Sequence, residues 1–86
     1  MYKLIIESKA QDFYQRLYTA NRSHFSRIAA AFESLKRDPY RGKPLKLSLK
    51  GSFSLRVGMY RIIYEVEQNT VTVYVLKIGH RRDVYN

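Results

Sequence analysis

Residues 52–67 read SFSLRVGMYRIIYEVE, and the fold turns on the two residues at their centre, Gly58-Met59. A two-residue loop is the commonest connection between antiparallel strands. Taken as one, it sets Val57 opposite Tyr60, Arg56 opposite Arg61, Leu55 opposite Ile62 and Phe53 opposite Tyr64. One face of the hairpin then collects Phe53, Leu55, Val57, Tyr60, Ile62, Tyr64 and Val66, an apolar surface that needs a cover. The other carries Ser54, Arg56, Arg61, Ile63 and Glu65. Like charges directly opposite each other destabilise a sheet by a few tenths to about 1 kcal/mol. A fold tolerates the Arg56–Arg61 pair either because both side chains splay into water or because an anion sits between them, which makes the pair a candidate anion site.

The flanking sequence supplies the cover. MYKLII alternates Tyr2, Leu4 and Ile6 against Lys3 and Glu7, the pattern of a first strand. Ser8 followed by Gln11 is a capping-box pattern, and behind it Ala10, Phe13, Tyr14, Leu17 and Tyr18 recur at helical spacing. TANRS, residues 19–23, interrupts the period. A second helix carries Phe25, Ile28, Ala29, Phe32 and Leu35 on one face, with Glu33 and Arg37 spaced for a helix ion pair. Asp38-Pro39 ends it, because the residue before proline is disfavoured in helical geometry. YRGKPLKLSLKG is a loop punctuated by Gly42, Pro44 and Gly51. After a turn at Gln68-Asn69, TVTVYVLKI reads as the last strand, closed by Gly79. With that turn two residues long, Thr72, Tyr74, Leu76 and Ile78 join the arginine face, Val71, Val73 and Val75 join the core, and Leu76 falls opposite Arg61. The expected fold is α+β, in the order β-α-α-β-β-β, with a helix hairpin on one face of a mainly antiparallel four-stranded sheet. Residues 1–86 are expected to form a single domain.

The chain has 86 residues, 45% hydrophobic and 14% aromatic, and no cysteine, which excludes disulfides and sulfur-ligated zinc. The N-terminal sequence does not read as a signal peptide, and no apolar run approaches the roughly 18 residues of a membrane span. Sixteen Lys and Arg stand against seven Asp and Glu, a formal net charge of +9. On so small a body that points to a polyanionic partner, nucleic acid before an anionic membrane or an acidic protein. The excess is concentrated: from Asp38 to Glu65 lie Arg41, Lys43, Lys46, Lys50, Arg56 and Arg61, with no acid between. Such a run reads as a surface that follows phosphates.

The inventory narrows the chemistry. There is no glycine-rich phosphate loop, and the two histidines, His24 and His80, have no carboxylate cluster with which to hold a metal. No metal or other cofactor is expected. His24 reads as a surface or boundary residue outside the catalytic set. The remaining reaction is metal-free RNA cleavage, in which the 2′-hydroxyl attacks the adjacent phosphate. It needs cations for the crowded phosphate, a base for the hydroxyl and an acid for the leaving oxygen. Arg56, Arg61 and Arg81 fit the first need, since a guanidinium forks onto phosphate oxygens. Histidine is the side-chain type suited to proton transfer near neutral pH, which makes His80 a candidate, and Tyr85 can stack on a base or exchange a proton. The candidate catalytic set is Arg56, Arg61, His80, Arg81 and Tyr85. The candidate RNA-binding set is Arg41, Lys43, Lys46, Lys50 and Arg82.

RVGMYRIIYEV, a variable turn and VTVYVLKIGHRRDVY, preceded by paired helices and GKPLKLSLKGSFSLR, together resemble the RelE toxins of the RelE/ParE superfamily. The likeness spans nearly the whole chain; YRIIY is common to the superfamily, while GHRRDVY points to its RelE side. The resemblance implies the toxin of a type II toxin–antitoxin system. It would be a cytoplasmic endoribonuclease that enters the A site of the 30S ribosome, contacts rRNA and cuts mRNA there without a metal, inhibiting translation. It implies an acidic cognate antitoxin that wraps the toxin, operator DNA bound only through their complex, and no membrane partner. Matched by position, Arg56, Arg61 and Arg81 stabilise the transition state and Tyr85 stacks on or orients a base. Some members carry a base-forming lysine at the position of Ser54. Serine here leaves the base unassigned, His80 being the first candidate and Tyr85 the second. The alternative from another class is a ParE-like toxin that is no nuclease and poisons DNA gyrase.

Overall fold

A computed structural model describes residues 1–80. Strand β1 is Lys3–Ile6, helix α1 Ser8–Ala20, helix α2 Arg22–Arg37, β2 Lys43–Pro44, β3 Ser52–Val57, β4 Tyr60–Glu67 and β5 Thr72–His80. A single 3₁₀ turn, Leu47–Leu49, lies between β2 and β3. The class is the α+β class expected, but the sheet has five strands, ordered β1-β5-β4-β3-β2. β1 runs parallel to β5 and the other pairings are antiparallel. The unexpected strand is β2, where Lys43 pairs with Ser54 and Pro44 with Phe53. Its glycine and proline read as loop signals. Yet proline tolerates an edge strand, where its missing N–H costs no ladder bond.

Both helices begin differently from their sequence patterns. α1 starts at Ser8 itself, with Glu7 in the cap position and no side-chain cap bond. The capping box therefore does not form: Ser8 is already helical, and Gln11 N–H bonds back to Glu7 O. The expected break across residues 19–23 shrinks to Asn21, whose N–H closes on Leu17 O. The Asn21 Oδ1 accepts from His24 N–H at 3.1 Å, satisfying one of the donors left open at the start of α2. In α2 the ion pair that forms is Glu33 with Lys36, at 2.8 Å, in place of Glu33 with Arg37. Asp38 caps the end as expected.

The helix faces bury Ala10, Leu17, Ile28, Ala31, Phe32 and Leu35 against Ile62, Tyr64, Val73, Val75 and Ile78 of the sheet. Tyr64 is fully buried, stacks on Phe53 at 5.5 Å, and accepts a hydrogen bond at its Oη from Gly42 N–H at 3.0 Å. Burial pushes the Tyr64 hydroxyl above its ordinary pKa of 10.0, and the Gly42 donor offsets part of that rise. This bond fastens the chain leaving α2 to the centre of the sheet.

Candidate functional site

The central hairpin forms in the expected register, with Val57↔Tyr60, Arg56↔Arg61, Leu55↔Ile62 and Phe53↔Tyr64. Gly58 supplies φ +60 at the first loop position, a left-handed conformation that costs glycine little. The two arginines start side by side on the sheet face away from the helices and then diverge. Arg61 Nη1 donates to Ser54 Oγ at 3.0 Å, and Ser54 is only 3% exposed. Arg56 is exposed and turns toward the loop, its Nε donating to Gly58 O at a long 3.5 Å. This splay lessens the repulsion of the pair without abolishing it, and Ser54 fixes one of the two guanidiniums.

The last strand departs from the expected register. The turn before it runs to Val71, which takes φ +52, so that Glu67 pairs with Thr72, Glu65 with Tyr74 and Tyr64 with Val75. A bulge then intervenes: Ile63 pairs with Lys77, Ile62 with Ile78, Arg61 with Gly79 and Tyr60 with His80. Leu76 is the extra residue of the bulge, and Gly79, not Leu76, lies opposite Arg61. Because side chains alternate with period two, one inserted residue exchanges the faces of everything after it. Ile78 consequently enters the core, at 5% exposure, and leaves the arginine face. Leu76 lines a pocket against Ala10 and Phe13 of α1.

The same bulge brings Lys77 onto the open face, in one row with Lys43, Ser54 and Ile63. Lys77 is the residue that sequence reasoning missed. Its signal was present in the spacing Val73, Val75, Ile78, an apolar alternation that skips one position. Lys43, read as a loop cation, stands directly beside Ser54. Arg56 and Arg61 form the next row with Gly79. Glycine there leaves the surface beside Arg61 low.

His80 is in register with Tyr60, so it starts on the helix side of the sheet, one residue past the arginine row. The two rings meet edge to face at 6.2 Å. His24 Nδ1 is hydrogen-bonded to Tyr60 Oη at 2.9 Å, so both histidines flank one tyrosine. Among the other cations, Arg41 lies between α2 and β3. Lys46 and Lys50 bracket the 3₁₀ turn, which caps the end of β3 opposite Gly58. Arg81, Arg82 and Tyr85 lie outside the described residues. Among the described residues no three His, Asp or Glu side chains gather into a set that could hold a metal ion, and no helix is long and apolar enough to cross a membrane.

A family described as the ParE toxin of the type II toxin–antitoxin system parDE matches residues 4–85. The RelG toxin of Mycobacterium tuberculosis is 46% identical over 59 residues, spanning 67% of this chain and 68% of that protein. The RelE toxin of the same organism is 37% identical over 65 residues, 69% of this chain and 67% of that protein. A chain in the crystal structure of the toxin–antitoxin complex RelBE2 from Mycobacterium tuberculosis superposes with a TM-score of 0.79. It is 34% identical and covers 93% of this chain and 98% of its own length.

Proposed function

The chain belongs to the RelE/ParE family of type II toxin–antitoxin toxins, on its RelE side, and on that premise we propose that it cleaves mRNA as a ribosome-dependent endoribonuclease. What supports this reading is the open sheet face. Arg56 and Arg61 lie in one cross-strand row, and Lys43 and Lys77 occupy the next, on the side of the sheet that the helices leave uncovered. Four cations in adjacent rows of one face offer a phosphate charge and forked donors.

In the cleavage step the ribose O2′ bonds to the adjacent phosphorus while the bond from phosphorus to the 5′-oxygen of the next nucleotide breaks. A base takes the 2′ proton and an acid returns one to the leaving oxygen, leaving a 2′,3′-cyclic phosphate. Arg61, held by Ser54, and the exposed Arg56 neutralise charge on the phosphate as it becomes five-coordinate. Arg81 and Tyr85 complete the site in this proposal, as transition-state cation and base-stacking ring. Arg41, Lys46, Lys50 and Arg82 hold the flanking phosphates. His80 takes the base role only by turning from the Tyr60 side of the sheet toward the Gly79 row.

The partner of such a toxin is a cognate antitoxin. We assign the further partners as the 30S A site with its mRNA and rRNA, and operator DNA reached only through the antitoxin complex, all in the cytoplasm. Residues 1–86 act as one toxin domain. The RelG and RelE relatives do not favour the gyrase-poison alternative. Cell-free translation with mapped mRNA ends tests the reading. Codon-phased 5′ ends on translated messages are expected; intact messages at toxin concentrations equal to or above that of the ribosomes overturn it.

A further inference from the structure

A second cationic feature lies around the corner from the sheet face. β2 covers only Phe53 and Ser54 of β3, so among the described residues Leu55–Val57 has no strand on its outer side. Between that half-strand and α2 runs a groove of about 420 Å³. Ala30, Ala31, Ser34, Leu55 and Val57 line it together with Arg27, Arg41 and Arg56, and no acidic residue is in the lining.

Two of these arginines crowd the same turn. Arg27 Nη1 passes so close to Gly58 that a Cβ there would stand 3.3 Å from it, and Arg56 Nε reaches Gly58 O. Among the described residues the one ion pair is Lys36 with Glu33, so none of the three has a carboxylate partner there. Three guanidiniums around one groove repel one another. A bound anion reverses the sign of that interaction.

We propose that this groove is a second phosphate-binding site, which holds the RNA backbone beyond the scissile position, with Arg56 shared between the groove and the sheet face. The inference rests on the RNA-cleavage reading for its ligand but assigns a different surface. Guanidinium forks match phosphate oxygens in pairs. Contacts to the backbone fix the position of a nucleic acid without reading its bases. RNA leaving the open face at Arg56 meets Arg27 and Arg41 by passing the Gly58 turn. An acidic protein segment is the competing occupant, since the uncovered half of β3 offers backbone groups for pairing. The groove's three arginines, continuous with the arginine row, favour phosphate.

The test is a titration of the whole toxin with a labelled single-stranded RNA oligonucleotide, 2′-O-methylated so that it cannot be cut, followed by fluorescence anisotropy over a range of salt. The double variant Arg27→Ala/Arg41→Ala is expected to bind at least tenfold more weakly at low salt. Its slope of log affinity against log salt should be shallower by about 1.4, two phosphate contacts at roughly 0.7 each. In the wild-type protein the Nε–H resonances of Arg27 and Arg41 should shift on adding the same oligonucleotide, a readout that survives a poorly folding variant.

An unchanged slope, or resonance shifts confined to the open face, overturns the proposal while leaving the cleavage reading intact. Loss of affinity for the cognate antitoxin with RNA binding unchanged also overturns it, and assigns the groove to an acidic protein segment. Because the titration involves neither ribosome nor cleavage, a shallower slope in the double variant sustains the groove even if translated messages stay intact.

Discussion

Replacing Arg56 by glutamine should stabilise the fold and disable the toxin at the same time. Arg56 faces Arg61 across the hairpin, and such like-charged pairs cost a few tenths to about 1 kcal/mol. Among the described residues its one hydrogen bond that could offset this is the exposed, 3.5 Å bond to Gly58 O, too long and too wet to contribute much. Arg56→Gln keeps the stem and a polar tip while removing the charge, so a gain of about 0.5 kcal/mol is expected. An unfolding entropy of about 2.1 cal/mol/K per residue over this chain converts that gain to a rise in Tm of roughly 3 °C.

The gain should vanish in about 1 M salt, where the screening length falls to roughly 3 Å. Cleavage on translating ribosomes should fall by about 100-fold or more, the usual loss when a fixed transition-state donor is removed. Arg61→Gln should show no such gain, because it removes the 3.0 Å bond to the buried Ser54 hydroxyl. A charged hydrogen bond of that kind contributes about 1.5–3 kcal/mol. Urea denaturation of both variants, paired with the cleavage assay, decides the matter. A loss of 1 kcal/mol or more in Arg56→Gln, or cleavage at the wild-type rate, would refute the reasoning.

Gly42→Ala should destabilise by about 2–4 kcal/mol in urea denaturation, since its Cβ would run into Tyr64 Oη and stand 3.0 Å from Ser54 O. It would displace a buried ring and its hydrogen bond together. Burial raises the hydroxyl pKa of Tyr64 and Tyr14. Their contribution to stability is therefore complete below the ordinary value of 10.0 and is lost as pH rises through the higher folded values; thermal melts should show Tm falling steadily above that pH. Deleting Leu76 should cost little more than Leu76→Ala in the same melts, because Leu76 is the extra residue of the bulge: without it Val75 and Lys77 follow each other in regular alternation, and Lys77 stays opposite Ile63 and Ile78 opposite Ile62. A far larger cost for the deletion would show that the bulge itself, and not the register it separates, holds the end of the sheet together.

The hairpin and its arginine pair were legible because both follow from local rules: a glycine-led two-residue loop fixes the register, and period-two alternation then assigns every side chain. The helix faces were legible for the same reason, with Ile28, Phe32 and Leu35 buried as their spacing demanded. β2 was hidden because Gly42 and Pro44 carry loop chemistry, and a two-residue edge strand has no pattern of its own. The far end of β5 was misplaced because the length of its turn and its bulge were not fixed by the residues chosen to mark them. Leu76, Lys77 and Ile78 each landed on a different surface in consequence.

By itself, then, the sequence determined the α+β class, the central hairpin, the unfavourable juxtaposition of Arg56 with Arg61 and the basic run from Arg41 onward, all of them consequences of neighbours in the chain. Tertiary structure decided the parallel docking of β1 on β5, the bulge that lifts Lys77 onto the arginine face and turns His80 toward Tyr60, and the approach of Arg27 to Gly58. Those depend on how a twisted sheet and two helices fill the space between them. Packing across long sequence separations sets that, and of these features only the bulge leaves a local trace, the position skipped between Val75 and Ile78.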